Sequence, residues 1–262
     1  MGTNPVHRDE ELRHIAVQVP VTMYSWGARD ERVYSRRGEV PSRFIPVGST
    51  KVTLAKRKHP MRIHEKKWDI CIVSMFSSQT LSHKNPSEFV EFEVQTMPNL
   101  VALLAPIISR HQLRVVVALR SGQDVLANAT EDEEIDFYRS SLHGLAELSS
   151  HHLPYGSYLA ASDSRLVLGR SSALLAEFLG TDTRVLFVNV TKSNIYDAPP
   201  EIPFKLSNPT EEQLEAKILE LLRMTDNQYK EATEHTQAEY CVQLQNPLQV
   251  IADDLVSGGA FE

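Results

Sequence analysis

Residues 162–189 read SDSRLVLGRSSALLAEFLGTDTRVLFVN, and this stretch carries the clearest structural pattern in the chain. Its apolar spacing predicts one strand over Arg165–Leu168 and a second strand over Arg184–Val188. Between them we expect a helix, because Ser171 is a plausible N-cap and Gly180 suits a helix C-terminus. The order strand, helix, strand predicts that the two strands lie in one parallel sheet.

Two apolar runs upstream extend the same pattern. Asp69–Phe76 is a continuous apolar run of strand length, and Leu113–Leu119 is rich in valine. A helix is predicted between them, from Pro86 or Ser87 to about Arg110. Apolar strands that alternate with helices are typical of a parallel sheet covered on both faces. The body of the chain is therefore predicted to be an α/β fold, a Rossmann-like doubly wound parallel sheet.

Capping boxes mark the starts of three more predicted helices. In each box a threonine is followed three residues later by Glu or Gln, and the two side chains satisfy free N–H groups of the first turn. The pairs are Thr130 with Glu133, Thr210 with Gln213, and Thr225 with Gln228. The first of these helices is predicted to run to about Ser149, the second is amphipathic, and the third belongs to a helical C-terminal region. A short helix is also predicted over Tyr155–Ala161.

The first 68 residues differ from the rest in charge. Residues 1–68 hold 14 Lys and Arg against 7 Asp and Glu, whereas residues 69–262 hold 13 against 27. Ile15–Val19 and Phe44–Val47 are predicted strands, and the charged stretch between them is turn-rich. We therefore expect a basic, incomplete N-terminal module (1–68) with short α/β elements, followed by a Rossmann-like domain with C-terminal helices (69–262). The basic segment either covers an acidic body or faces an anionic ligand or another chain.

The composition narrows the class of protein. Apolar residues make up 42% and charged residues 23%, which is typical of a globular chain. The net charge is −7, and the basic run Lys51–Lys67 has no interleaved aromatic residues, so no nucleic-acid partner is expected.

The longest mainly apolar stretch, residues 97–108, is interrupted by prolines and is too short for a transmembrane helix. The N-terminus lacks the apolar core of a signal peptide, so we expect a cytoplasmic protein.

Several motifs that would identify an enzyme class are absent from the sequence. The chain has no G-x-x-x-x-G-K-[ST], no G-x-G-x-x-G after a strand and no G-x-S-x-G. This disfavours P-loop NTPases, NAD enzymes and typical α/β-hydrolases. Cys71 and Cys241 fit neither a metal spacing nor a disulfide framework. The histidines lack metal-ligand spacing and there is no Asp-x-Asp pattern, so we expect no metal and no cofactor.

The serine pair Ser171 and Ser172 is the main candidate for binding phosphate. A helix N-terminus presents free N–H groups and the positive end of the helix dipole, and the two hydroxyls add further donors. Glu177 lies five residues after Ser172, inside the same predicted helix. A carboxylate there can accept hydrogen bonds from ribose hydroxyls. The alternative is an ordinary serine N-cap followed by a solvated glutamate.

Other candidate residues flank the predicted strands. Arg120 follows Leu113–Leu119 and either clamps a diphosphate or pairs with an acidic neighbour such as Asp124. Ser77 and Ser78 follow the first strand of the body, where they would bind phosphate or sugar hydroxyls or simply form a polar loop. Tyr155 would stack on a base, although a helical tyrosine is more often part of a core.

The stretch 162–189 resembles the donor-nucleotide region of GT-B glycosyltransferases, in which a strand, a Ser-Ser or Ser-Thr pair, a helix carrying Glu, a Gly and another strand follow one another. The stretch NPTEEQLEAKILELLRMTDNQYKEATEHT resembles the paired helices that follow the last strand in surface-polysaccharide glycosyltransferases. Near the N-terminus, YSWGARDERVYSRRGEVPSRFIPVGSTK resembles their Trp-Gly turn, charged helix and strand end before the interdomain linker. The resemblance extends from about Val21 to about Thr236.

This resemblance implies a metal-independent GT-B-type glycosyltransferase that transfers a sugar from a nucleotide-activated donor to a glycan acceptor. Ser171, Ser172 and Arg120 would hold the phosphates, and Glu177 would bind the ribose. A complete GT-B enzyme has two Rossmann-like domains, and this sequence has the pattern of a complete C-terminal one only. The N-terminal module resembles part of the acceptor-side domain, which usually supplies the catalytic base.

The candidates for that base are Asp30, Glu31 and His83. Alternatives to a glycosyltransferase are a non-catalytic partner subunit on the same scaffold and a polyol-phosphate transferase. A sugar-nucleotide epimerase of the same architecture is disfavoured because its other half is missing. The expected partners are a nucleotide-sugar, a glycan acceptor, and a protein partner or another copy of the chain. The basic segment also suits a peripheral contact with an anionic membrane surface.

Overall fold

The computed structural model describes residues 22–36, 41–58, 66–77, 88–120, 131–149, 154–194, 197–242 and 246–258. The strands within these ranges are β1 (Thr22–Ser25), β2 (Arg43–Pro46), β3 (Trp68–Val73), β4 (Val115–Ala118), β5 (Ala146–Leu148), β6 (Ser164–Gly169), β7 (Arg184–Asn189) and β8 (Lys205–Ser207). The helices there are α1 (Ala28–Arg36), α2 (Thr50–Lys58), α3 (Glu88–His111), α4 (Glu131–Leu142), α5 (Gly156–Ser162), α6 (Ala173–Phe178), α7 (Glu211–Arg223), α8 (Asp226–Tyr240) and α9 (Pro247–Gly258).

Six strands form one parallel sheet, in the order β5-β4-β3-β6-β7-β8. Cys71 in the central strand β3 lies beside Val116 of β4 on one side and beside Val167 of β6 on the other. The chain builds the sheet outward from β3 through β4 to β5, returns to β6, and then continues in the opposite direction. This is the strand order of a doubly wound Rossmann-like sheet, so the predicted fold class is confirmed.

Helices cover both faces of this sheet, as its apolar strands predicted. Along β3, Ile70 and Ile72 belong to the core that includes α3, α4 and α7. Cys71 and Val73 point the other way, into the core that includes α2, α5 and α6. The alternation follows from the two-residue period of a strand. In the part of the chain that the structure describes, no helix combines the length and the apolar character needed to cross a membrane.

Several predicted elements are confirmed within one or two residues, namely β2, β4, β6, β7, α5 and the C-terminal end of α3. The strand predicted over Asp69–Phe76 is also present as β3, but it ends three residues earlier, at Val73. Thr210 and Gln213 form a complete capping box at the start of α7, and Thr225 and Gln228 form another at the start of α8. The third predicted box begins at Thr130, which lies outside the described residues.

The helix that was predicted to reach Ser149 ends earlier, at Leu142, so that boundary was wrong. His143 and Gly144 follow it with φ angles of 48° and 77°, in the left-handed region that terminates helices. The chain then forms the short strand β5 beside β4. Two consecutive left-handed residues therefore convert a predicted helix into a helix, a turn and an edge strand.

The N-terminal segment, defined as residues 22–58, contains a small sheet of its own. β1 and β2 pair in parallel and α1 connects them. The stretch that was predicted to be turn-rich is thus a helix, as the family resemblance implied. Asp30 lies in its first turn and accepts a hydrogen bond from the N–H of Trp26 at 3.2 Å, which stabilises the helix start. The strand predicted over Ile15–Val19 lies outside the described residues.

The helix α2 packs directly on the Rossmann-like body. Its Val52 and Ala55 are buried, and the helix contacts α5 and α9. Val52 shares a core with Trp68, the first residue of β3. The domain boundary expected after residue 68 therefore coincides with the start of β3. The elements on its two sides, α2 and β3, share one hydrophobic core.

Candidate functional site

The carboxyl ends of β3 and β6 form the topological switch point of the sheet, which is where doubly wound folds have their ligand crevice. Gly169 ends β6 close to Val73, the last residue of β3. A Cβ added to Gly169 would lie 3.3 Å from both the Cβ and the carbonyl oxygen of Val73 and 3.2 Å from a methyl carbon of Leu175. Glycine therefore lets the two central strands and the start of α6 pack closely at this point.

The serine pair follows β6 directly. Ser172 has an extended backbone, and its Oγ accepts a hydrogen bond from the N–H of Leu174 at 3.2 Å, so it is the N-cap of α6. The prediction that Ser171 is the N-cap was wrong by one residue, because the helical conformation begins only at Ala173. Ser171 is exposed at the carboxyl end of β6. Both serines thus lie at the edge of the sheet where a ligand is expected.

Arg170 is a charged residue of this edge that the sequence analysis missed. It lies between Gly169 and the serine pair, and only 3% of its surface is exposed. Its Nη1 donates a hydrogen bond to Oγ1 of Thr96, in α3, at 3.3 Å. A guanidinium held at the end of a central strand can neutralise an anionic group that binds there. Its position immediately after the strand was the signal that could have identified it.

A buried polar network fixes the ends of β3 and β4. The Ser74 hydroxyl donates to Oε1 of Glu134, and the Tyr138 hydroxyl donates to Oγ of Ser74 at 2.9 Å. The N–H of Arg120 donates to the same Glu134 oxygen at 3.0 Å. Burial raises the pKa of Tyr138, so its hydroxyl remains a donor. The network therefore ties α4 to both strand ends and positions the backbone of Arg120, whose side chain is half-buried.

The loop after β3 is described only in part. Ser77 is buried, with 9% of its surface exposed. Ser78 and His83 lie outside the described residues, and so does Asp124, the acidic neighbour considered for Arg120. The predicted roles of these residues stay predictions.

Glu177 is buried, with 2% of its surface exposed, so it is not the solvated glutamate of the alternative interpretation. The Ser49 hydroxyl donates to its Oε2, and the Tyr158 hydroxyl donates to its Oε1 at 2.9 Å. Burial raises the pKa of the Glu177 carboxyl, and the two hydroxyl donors oppose that shift. No sequence pattern indicated either donor.

A cavity of about 470 Å³ opens beside this carboxylate, between α2, α6 and the chain that follows α8. Its volume lies within the range of small-molecule sites. Hydroxyl groups, a carboxylate and two basic side chains of α2 contribute to its wall. They come from Ser49, Thr53, Lys56, Arg57, Glu177 and Thr181.

The remaining candidates belong to other elements than the serine pair. Tyr155 precedes α5 with a φ of 66°, and Nζ of Lys58 lies 5.1 Å from its ring centroid. Asp30 and Glu31 lie in the first turn of α1, which packs on α8. Burial raises the pKa of Asp30. Glu31 is exposed.

No family model matches the chain, and no curated protein matches it. Solved structures do match its fold. A variant of the wall teichoic acid polymerase TagF matches with a TM-score of 0.56 at 11% identity, covering 90% of this chain and 57% of that one. The UDP-GlcNAc 2-epimerase of Methanocaldococcus jannaschii, solved with UDP-GlcNAc and UDP, matches with a TM-score of 0.54 at 13% identity, covering 91% of this chain and 61% of that one. MnaA of S. aureus, solved with UDP, matches with a TM-score of 0.54 at 13% identity, covering 88% of this chain and 59% of that one.

These matches show that the chain has a GT-B-type fold, as the sequence resemblance implied. At such low identities they establish the fold alone. The chain spans between 57% and 61% of the length of the three structures.

Proposed function

We propose that this chain binds a nucleotide-sugar in a GT-B-type glycosyltransferase, which transfers the sugar to a glycan acceptor without a metal ion. The observation that carries the proposal is the position of Arg170, Ser171 and Ser172, which follow β6 directly at the switch point of β3 and β6. Two hydroxyls and a guanidinium at that edge match the donors that a diphosphate requires. The complexes of two structural neighbours with UDP make UDP the first nucleotide to test.

The proposed chemistry needs stabilisation of a leaving group. As the acceptor oxygen bonds to the anomeric carbon of the sugar, the bond from that carbon to the diphosphate breaks, and negative charge develops on the diphosphate. Arg170 and Arg120 would neutralise that charge, and the serine hydroxyls would donate hydrogen bonds to it. Donors fixed in advance at the position where charge develops are the main source of such stabilisation.

The other parts of the site follow the same proposal. Glu177 would accept a hydrogen bond from a ribose hydroxyl of the donor. A base must take the proton of the acceptor hydroxyl, and Asp30, Glu31 and His83 are the candidates. Burial raises the pKa of Asp30, which makes its carboxylate a stronger base than that of an exposed aspartate.

The test is calorimetric titration of the chain with UDP, CDP and GDP, each with and without Mg²⁺. We expect one of them to bind independently of Mg²⁺. Replacing Arg170 by Gln should weaken that binding at least about tenfold, because a hydrogen bond to a charged group is worth roughly 1.5–3 kcal/mol. Arg223→Gln is the matched control, since Arg223 is exposed at the end of α7, and its affinity should equal that of the unmodified chain.

Absence of binding by all three diphosphates would overturn the proposal. Equal affinities of Arg170→Gln and the unmodified chain would remove Arg170 from the site. A TagF structure solved after a soak with CDPG also matches this fold, so a preference for CDP would favour a polyol-phosphate transferase. Nucleotide binding without any turnover of a UDP-sugar would favour the non-catalytic partner subunit.

A further inference from the structure

Donors from two distant parts of the chain hold the Glu177 carboxylate. Ser49 lies in the turn between β2 and α2 and donates to Oε2. Tyr158 lies in α5 and donates to Oε1 at 2.9 Å. An ionised carboxylate offers about four acceptor positions, so each oxygen keeps one further position. Since Glu177 also lines the 470 Å³ cavity, a molecule in that cavity is a suitable donor for the remaining positions.

The orientation of the Ser49 hydroxyl is fixed by its own contacts. The turn is anchored because the N–H of Val47 donates to the carbonyl of Ser25 at 2.8 Å. The Ser49 hydroxyl accepts a hydrogen bond from the N–H of Val52 at 3.1 Å. A serine hydroxyl has a single proton, and with its oxygen engaged by Val52 that proton is directed to Glu177.

The Tyr158 hydroxyl belongs to a ring that lies near two other aromatic rings. Its ring lies 6.3 Å, between centroids, from the rings of Tyr155 and Phe178. Burial and the neighbouring Glu177 carboxylate both raise the pKa of Tyr158, so the phenol keeps its proton and donates it. A donor that comes from a packed ring restricts where the carboxylate oxygen can lie.

We propose that Ser49 and Tyr158 are positioning residues that orient the Glu177 carboxylate toward a ribose hydroxyl, so that the site distinguishes ribonucleotides from 2′-deoxyribonucleotides. This inference rests on the proposed function, because it requires a nucleotide at the switch point. Ser49 and Tyr158 act through Glu177 rather than by touching the nucleotide. The N-terminal segment thereby contributes to nucleotide recognition from outside the Rossmann-like sheet.

The experiment compares the affinities of UDP and 2′-deoxyUDP, and in parallel of CDP and 2′-deoxyCDP, by calorimetry on the full chain. We expect the unmodified chain to prefer the ribonucleotide about tenfold or more, since a charge-assisted hydrogen bond is lost in the deoxy form. Ser49→Ala and Tyr158→Phe should each reduce that preference several-fold while leaving the affinity for the deoxynucleotide unchanged. Ser49→Thr keeps the hydroxyl and should restore the preference.

The controls separate positioning from structural damage. Tyr34→Phe and Ser257→Ala remove the same hydroxyls elsewhere in the chain and should keep the preference. An unchanged preference in both Ser49→Ala and Tyr158→Phe would overturn the inference, and so would an equal loss of affinity for both forms of the nucleotide. If no nucleotide binds to the unmodified chain, the proposed function itself fails, which is a different result from binding without discrimination. Because the two variants lie in separate elements, unfolding of one leaves the other as the test.

Discussion

The Rossmann-like body and the N-terminal segment of residues 22–58 are stabilised in different ways. The inner strands of the body, β3, β4, β6 and β7, are almost entirely buried on both faces, and Leu168 and Leu186 have no exposed surface. In the N-terminal segment, α1 buries no residue, and α2 buries only Val52 and Ala55. Hydrophobic burial, which scales with the apolar area removed from water, therefore stabilises the body far more than the segment.

Polar contacts with the C-terminal helices add to the limited apolar burial of the segment. Asp254 of α9 accepts hydrogen bonds from the Tyr24 hydroxyl at 2.8 Å and from the Arg43 guanidinium at 2.6 Å. Arg32 of α1 forms an ion pair with Glu239 of α8. This part of the basic segment thus covers acidic helices, as one of the two interpretations of the charge asymmetry expected. Because salt screens such exposed pairs, the segment should open before the body does.

The largest expected effect is a loss of stability in the Rossmann-like body. Leu168→Ala removes a fully buried side chain from β6 and should lower the free energy of unfolding by about 2–5 kcal/mol, because it loses apolar burial and leaves a cavity. Chemical denaturation measures this change. Val256→Ala is the control, since 82% of Val256 is exposed, and it should leave stability nearly unaltered. Equal effects of the two variants would contradict the assignment of the core.

A smaller loss of stability is expected in the N-terminal segment alone. Gly48 has a φ of 74°, and a Cβ there would collide with the carbonyl oxygen of Val242. Gly48→Ala should therefore destabilise the docked segment by about 1–3 kcal/mol, through backbone strain and overpacking. Gly144→Ala is the control in the body, because its φ is 77° but its Cβ would meet no atom within 4 Å.

Hydrogen exchange of β1 and β2 is the measurement for these glycine variants. Gly48→Ala should accelerate exchange in β1 and β2 while exchange in β3 and β6 stays slow. Gly144→Ala should leave β1 and β2 as they are. Faster exchange throughout the sheet in Gly48→Ala would show that the segment and the body open together rather than separately.

The smallest effect concerns the polar contacts with α9. The Tyr24 hydroxyl and the Arg43 guanidinium lower the pKa of Asp254 below its ordinary value of 3.8. The ionised form is therefore favoured in the folded chain, and its contribution is complete above pH 3.8 and is lost as the pH falls below that value. Asp254→Asn should slightly accelerate exchange in β1 and β2 at neutral pH and low salt, with no difference from the unmodified chain at lower pH or high salt.

Asp253→Asn is the control for this last effect, since Asp253 bonds Gln249 within α9. It should leave exchange in the N-terminal segment unchanged. A rate increase in Asp254→Asn that persists in high salt would show that the contact does not act through charge.

Local sequence patterns were sufficient to predict the central strands and the starts of two C-terminal helices. β4 and β7 were predicted because their apolar runs need burial on both faces, and α7 and α8 because a capping box depends only on residues three positions apart. The patterns failed where tertiary contacts outweigh local preference. The charged stretch of α1 forms a helix that packs on α8, and His143 with Gly144 ends α4 before the predicted Ser149.

The candidate site likewise has one part that the sequence predicted and another part that it did not. The spacing of Ser171, Ser172 and Glu177 placed the serines at the end of β6 and Glu177 within α6, because strand and helix periods fix these positions along the chain. The environment of Glu177 was not predictable, since its donors Ser49 and Tyr158 are separated from it by 128 and 19 residues. Those contacts depend on how the β2–α2 turn and α5 pack against α6. Apolar periodicity determines which face of an element is buried, and only the packed tertiary structure decides which polar side chains meet there.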